Sequence, residues 1–133
     1  MIASSSGSHW YRVALLAARS KFRVHCSTTG GYYAPGTKSF TCIRNWDSTT
    51  FYLGEVDALG SNWVTAARMQ SDNGGSSWYL EVYFNNVSGS QLAGFMQVVV
   101  EPQSGSSMTN VIELDNYGED ASNLTYTSSQ YNI

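Results

Sequence analysis

The sequence predicts an all-β protein, an antiparallel β-sandwich or jelly roll of about eight strands, and three observations lead there. Apolar and polar residues alternate with a period of two along nearly the whole chain. Strand-length runs rich in β-branched and aromatic residues are divided by clusters of Gly, Asn, Ser and Pro, at spacings of roughly 8–15 residues. The 133 residues suit one domain that buries roughly two thirds of its unfolded surface, enough for a core without staples.

Residues 1–8, "MIASSSGS", read as a polar linker, and residues 9–133 as the single domain. "HWYRVALLA" (9–17) is the first expected strand. The apolar "ALLAA" (Ala14 to Ala18) sits between Arg12 and Arg19 and is too short for a signal-peptide core, so no targeting or membrane-inserting segment is expected. "SKFRVHC" (20–26) and "SFTCIRNW" (39–46) follow, separated by "TTGGYYAPG" (28–36), the longest expected loop. In these two strands Cys26 and Cys42 alternate with apolar neighbours, which points to buried free thiols rather than a disulfide.

"TTFYLGEV" (49–56) is the next strand. "NWVTAARMQ" (62–70) contains good helix formers in Ala66, Ala67, Arg68 and Met69, yet "NWVT" at its start and the "DNGG" turn (72–75) after it favour a strand. That turn tolerates positive φ, so 62–70 is expected to pair with "SWYLEVYF" (77–84) as an antiparallel hairpin. "GFMQVVVE" (94–101) and "TNVIELD" (109–115) complete the set.

Charged residues make up 13% of the chain, about half the usual share, while aromatics reach 14%. With a net charge of -3 and a pI near 5.1 the surface lacks the cationic field that phosphate backbones require, so nucleic acid and anionic membranes are poor partners.

The hairpin carries the most informative pattern. If Trp78, Leu80, Val82 and Phe84 face the core, Tyr79, Glu81 and Tyr83 share the opposite face, and Arg68 of the partner strand joins them. Sugars present apolar C–H faces and a rim of hydroxyls, so aromatic planes beside hydrogen-bonding side chains suit them. The same rings packed against a neighbouring subunit or a second sheet are an equally physical reading. Tyr32 and Tyr33 in "GGYYAPG" form a second aromatic cluster, either reaching a ligand from a loop or folding back to plug the sandwich end. Arg44, Trp46 and Asp47 in "RNWD" are a third, whose alternative is a strand-closing tryptophan with an Asp turn.

Catalytic equipment is not visible. His25 lies inside a strand beside Cys26 and reads as a half-exposed structural residue, and His9 sits at the linker edge. No Gly-x-Ser-x-Gly elbow, His-Glu-x-x-His or Cys-x-x-Cys motif occurs. The carboxylate pairs Glu55/Asp57 and Glu113/Asp115 match the dress of solvated strand faces, and "DNYGED" (115–120) lacks the alternating ligand spacing of a calcium loop. No cofactor, metal or enzymatic activity is expected.

The Ser/Gly stretch leading into "HWYRVALL", the short aromatic strands, the "GGSSWYLEVYFNN" segment and the polar "SSQYNI" together resemble the C-terminal modules of bacteriophage tail fibres and tailspikes. The resemblance covers most of the chain in style and rests on no single signature motif. It implies a β-sandwich or jelly-roll tip, a homotrimer, located on the virion tail and made in the host cytoplasm without a signal peptide. Such tips bind cell-surface polysaccharide or assist folding and trimerisation of the fibre. The sequence has no shaft repeats, no histidine-rich metal string and no Ser/Asp pair of the kind that marks self-cleaving fibre chaperones. Two functions therefore compete, a carbohydrate-recognition module binding bacterial polysaccharide and a trimerisation cap, with an accessory module of a secreted glycosidase as a third.

Overall fold

The structure is a computed structural model that describes residues 2–5, 9–16, 19–30, 33–45, 51–60, 63–71, 78–85, 94–103, 112–113 and 126–133. These residues form strands and their short flanks only: β1 (Ile2–Ser5), β2 (His9–Leu16), β3 (Ser20–Gly30), β4 (Tyr33–Arg44), β5 (Phe51–Gly60), β6 (Val64–Ser71), β7 (Trp78–Phe84), β8 (Gly94–Pro102), β9 (Ile112–Glu113) and β10 (Tyr126–Asn132). Eight of them are seven residues or longer. No helix among the described residues is long and apolar enough to cross a membrane.

The strands build two five-stranded antiparallel sheets. Sheet A runs β1-β8-β3-β4-β5 and sheet B runs β10-β6-β7-β2-β9. Their inner faces meet in one core, as the period-two alternation requires. Sheet A contributes Phe22, Val24, Cys26, Phe40, Cys42, Phe51, Met96 and Val98; sheet B contributes Tyr11, Val13, Leu16, Trp63, Met69, Trp78, Leu80, Val82 and Phe84. Trp63 stacks on Phe84 with ring centroids 6.0 Å apart, and Phe51 meets Tyr131 edge-on at 5.5 Å. Both cysteines are buried and free, and desolvation pushes the Cys26 thiol up to about 12.

Polar atoms tie the sheets together where the core ends. Lys38, on the inward face of β4, donates from Nζ to the backbone carbonyl of Ile133 at 2.6 Å. Tyr131 Oη donates to the Phe51 carbonyl at 2.8 Å. Arg44, the ladder partner of Phe51, turns inward and donates to the Leu16 carbonyl of β2. Its burial lowers the guanidinium pKa from the ordinary value. These bonds satisfy groups that would otherwise be desolvated without a partner.

The expected hairpin is present: β6 and β7 pair antiparallel, with Arg68 opposite Glu81. Trp78, Leu80, Val82 and Phe84 are all inside. Two strands were hidden by composition. Ile2–Ser5, within the expected linker, pairs with β8, and the polar Tyr126–Asn132 pairs with β6. Edge strands need only one hydrogen-bonded neighbour, so Ser, Thr and Asn suffice there. The long loop expected at 28–36 is largely strand, because Thr28 pairs with Gly36 and Gly30 with Tyr33. Glycine is required at one strand end: Gly60 has φ +76°, and a Cβ there would lie 2.4 Å from the Pro35 carbonyl oxygen.

Candidate functional site

The site is built on the outer face of sheet B. Alternation along β7 turns Tyr79, Glu81 and Tyr83 outward, and the ladder then fixes their neighbours. Arg68 of β6 and Arg12 of β2 stand opposite Glu81 on its two sides, and Ala66 and Trp10 stand opposite Tyr83. β10 extends both rows, placing Gln130 opposite Arg68 and Asn132 opposite Ala66.

The first row is electrostatic. Arg68 Nε donates to Glu81 Oε1 at 2.7 Å, while Arg12 Nε stands 3.7 Å from Oε2. Both guanidinium groups are roofed by aromatic rings: Arg12 lies 4.2 Å from the Tyr79 centroid and Arg68 lies 3.9 Å from that of Trp10. Glu81 is completely shielded by this arrangement. Burial pushes its carboxyl above the ordinary carboxylate range, against the opposing pull of the Arg68 hydrogen bond and the two positive charges.

The second row forms a depression. Ala66 is the small residue between Asn132 and Tyr83, so the larger side chains around it rise past it. The resulting hollow has a volume of about 500 Å³ and is lined by Trp10, Thr65, Ala66, Tyr83, Gln130 and Asn132. The Trp10 and Tyr83 rings tilt against each other at 51°, with centroids 5.2 Å apart. Register shifts between Val64 and Ala66 and between Thr127 and Gln130 adjoin the hollow. Such irregularities re-aim side chains, and here they bring Thr65 and Gln130 to its rim. Two π-faces, one hydroxyl and two amides thus converge on a concave surface, the combination that small polar ligands with apolar faces require.

Of the residues singled out from the sequence, Arg68, Tyr79, Glu81 and Tyr83 come together on this face. Glu81 differs from expectation in role: its carboxylate is enclosed between guanidinium groups rather than presented outward. Tyr32, Trp46 and Asp47 lie outside the described residues, and for Tyr33 only the backbone is described, at the start of β4. Arg44 is an inward-facing tie between the sheets. Sequence reasoning missed Trp10, Thr65, Gln130 and Asn132. For Trp10 a signal existed in "HWYR", where two adjacent aromatics in a strand must point to opposite faces.

The outer face of sheet A is different in kind. Arg23 donates to Thr41 Oγ1 at 2.9 Å, to the Glu55 carbonyl at 2.6 Å and to Asp57 Oδ2 at 2.8 Å. His25 bridges Ser39 Oγ at 3.1 Å and Glu101 Oε2 at 2.9 Å, so it is half-exposed as expected, within a polar chain. Exposed apolar side chains gather on the same sheet at Ile43, Tyr52, Val56, Leu59 and Val99, and a shallow groove of about 210 Å³ runs between Ile43 and Tyr52. Among the described residues no three His, Cys, Asp or Glu side chains are grouped to hold a metal ion.

Against known proteins the chain stands apart: no family model, curated protein or solved structure matches it.

Proposed function

We propose that this protein is a non-catalytic carbohydrate-recognition module, and that the outer face of sheet B is its binding surface. The observation that carries this reading is the hollow in which Trp10 and Tyr83 meet Thr65, Gln130 and Asn132. A pyranose ring offers one of the aromatic planes its C–H face, while its hydroxyls exchange hydrogen bonds with the amides and the threonine. Shape and residue chemistry support this more directly than the resemblance to tail fibres does. The resemblance adds the setting: the tip of a bacteriophage tail fibre or tailspike, on the virion tail, with bacterial surface polysaccharide as partner.

The second reading, a trimerisation or folding cap, is favoured by a different surface. Leu59 is 77% exposed and Tyr52 53% exposed, both on the edge strand β5 of sheet A. Apolar area of this kind is a feature of contact surfaces between subunits. The two readings therefore use opposite faces and are compatible in one homotrimer. A shallow site of this type binds a single sugar with a Kd of about a millimolar to a micromolar, and threefold presentation raises the avidity by orders of magnitude.

A glycan array combined with light scattering tests both readings. Glycan binding that is lost in Trp10→Ala and Tyr83→Ala, with the wild-type mass retained, is the expected result. Undiminished binding in both variants would overturn the assignment of the site. A monomer that binds glycan would favour the accessory-module reading instead.

A further inference from the structure

Among the described residues, the charges on the binding face do not balance. In the row Gln130–Arg68–Glu81–Arg12 two guanidinium groups share one carboxylate, and that carboxylate is fully enclosed. The protein has only seven Lys and Arg residues and a net charge of -3, so placing two of the seven side by side on this face is a marked local excess. The other tethered cations are spent elsewhere: Arg23 on Asp57, Lys38 on the Ile133 carbonyl and Arg44 on the Leu16 carbonyl.

The two guanidinium groups are also held in a particular way. Arg68 commits Nε to Glu81 and lies over Trp10, the aromatic wall of the hollow. Arg12 lies over Tyr79, and its Nε, like Glu81 Oε2, is buried without a hydrogen bond. A guanidinium stacked on a ring keeps its terminal N–H donors in its own plane, pointing past the ring edge. Arg68 thereby adjoins the sugar-sized hollow through Trp10, and Arg12 stands across Glu81 from it; among the described residues Glu81 is the one carboxylate paired with these two positive charges. A planar carboxylate is the group that guanidinium forks bind in bidentate fashion.

We propose that the sugar bound by this face is acidic, a uronate-type pyranose whose carboxylate pairs with Arg12 and Arg68 while its ring occupies the hollow at Trp10 and Tyr83. This rests on the carbohydrate reading of the site and adds the class of sugar. Glu81 is the internal counter-charge that fixes both arginines, and it makes no contact with the ligand.

Calorimetric titration of the wild-type protein with matched oligosaccharides tests the inference. The probes are oligomers of alternating glucuronate and N-acetylglucosamine and oligomers of galacturonate, each beside its carboxyl-reduced form. At least one acidic oligomer should bind about tenfold or more tightly than its reduced counterpart, and raising the salt concentration should narrow that gap. Arg12→Gln should abolish the preference, bringing each acidic oligomer to within about twofold of its reduced form, whereas Arg12→Lys, which keeps the charge and loses the fork, should restore part of it. Because Arg68→Gln strands Glu81, the double variant Arg68→Gln/Glu81→Gln is the folded control and should also lose the preference. Equal binding of every acidic and reduced pair, sensitive to Trp10→Ala, would overturn the acidic-sugar inference and leave the carbohydrate reading standing. Binding of neither form of any probe would overturn both.

Discussion

Arg68 and Glu81 face each other directly across the β6–β7 ladder, and the 2.7 Å bond between them joins a partly exposed guanidinium to a fully buried carboxylate. Removing the arginine alone leaves that carboxylate desolvated, with Arg12 at 3.7 Å as its remaining partner. Arg68→Met should therefore cost about 3 kcal/mol in urea unfolding, the lower end for a broken buried pair. Arg68→Met combined with Glu81→Leu should cost clearly less than Arg68→Met alone. A double variant as unstable as the single one would mean that the loss lies in packing against Trp10.

The same carboxylate sets a pH dependence. Its pKa in the folded state is raised above 4.5, chiefly by burial, so folding favours the protonated form. The associated stability is present below the ordinary carboxylate value and is lost as pH rises through the raised one. Relative to Glu81→Gln, which stays neutral, the wild-type protein should be more stable at pH 4 than at pH 7. Comparing the difference in unfolding midpoint between the two proteins at both pH values checks this; a shift in the opposite direction would mean that the two guanidinium groups outweigh desolvation.

Ala66 should be a specificity position rather than a core position. It is nearly covered, yet it faces outward beneath the hollow and lies outside the main hydrophobic cluster. Ala66→Leu should fill the hollow and weaken glycan binding about tenfold or more, while changing stability by less than about 1 kcal/mol. Leu80→Ala, on the opposite face of the same hairpin, should do the reverse, costing about 2–5 kcal/mol because Leu80 is completely buried.

The contact of β10 with sheet A offers a milder test. Tyr131→Phe removes the hydrogen bond to the Phe51 carbonyl and keeps the edge-on ring contact. The expected loss is about 1 kcal/mol in chemical denaturation. Tyr131→Ala should lose several times that, since the ring contact goes as well.

The inward half of this fold was legible and the outward half only partly so, for physical reasons visible in particular residues. In β7, buried aliphatics and aromatics alternate with two tyrosines and a glutamate, so chemistry and geometry agree and the faces separate cleanly. In β2, Trp10 faces out and Tyr11 faces in, two aromatics that alternation alone does not sort, and the register shift between Arg12 and Ala14 then breaks the period. Gln130 and Asn132 were obscure because "SSQYNI" has the composition of a solvated tail, and its strand character comes from pairing with β6. The relation of Arg68 to Glu81 followed from the hairpin; the second arginine did not, because β2 reaches β7 from the other end of the chain.

β10 gives the binding surface a kinetic character of its own. A hairpin of neighbouring strands supplies Thr65, Ala66 and Tyr83, whereas Gln130 and Asn132 arrive only when a strand starting at residue 126 closes on one ending at residue 71. Local pairings form before distant ones, because each long closure costs chain entropy first. The hollow is thus completed late in folding, and it is undone first whenever the edge strand frays. Amide protons of β10 should exchange faster than those of β7, and ligand should slow the former selectively, so that binding reports on the closure of one edge rather than on the stability of the whole sandwich.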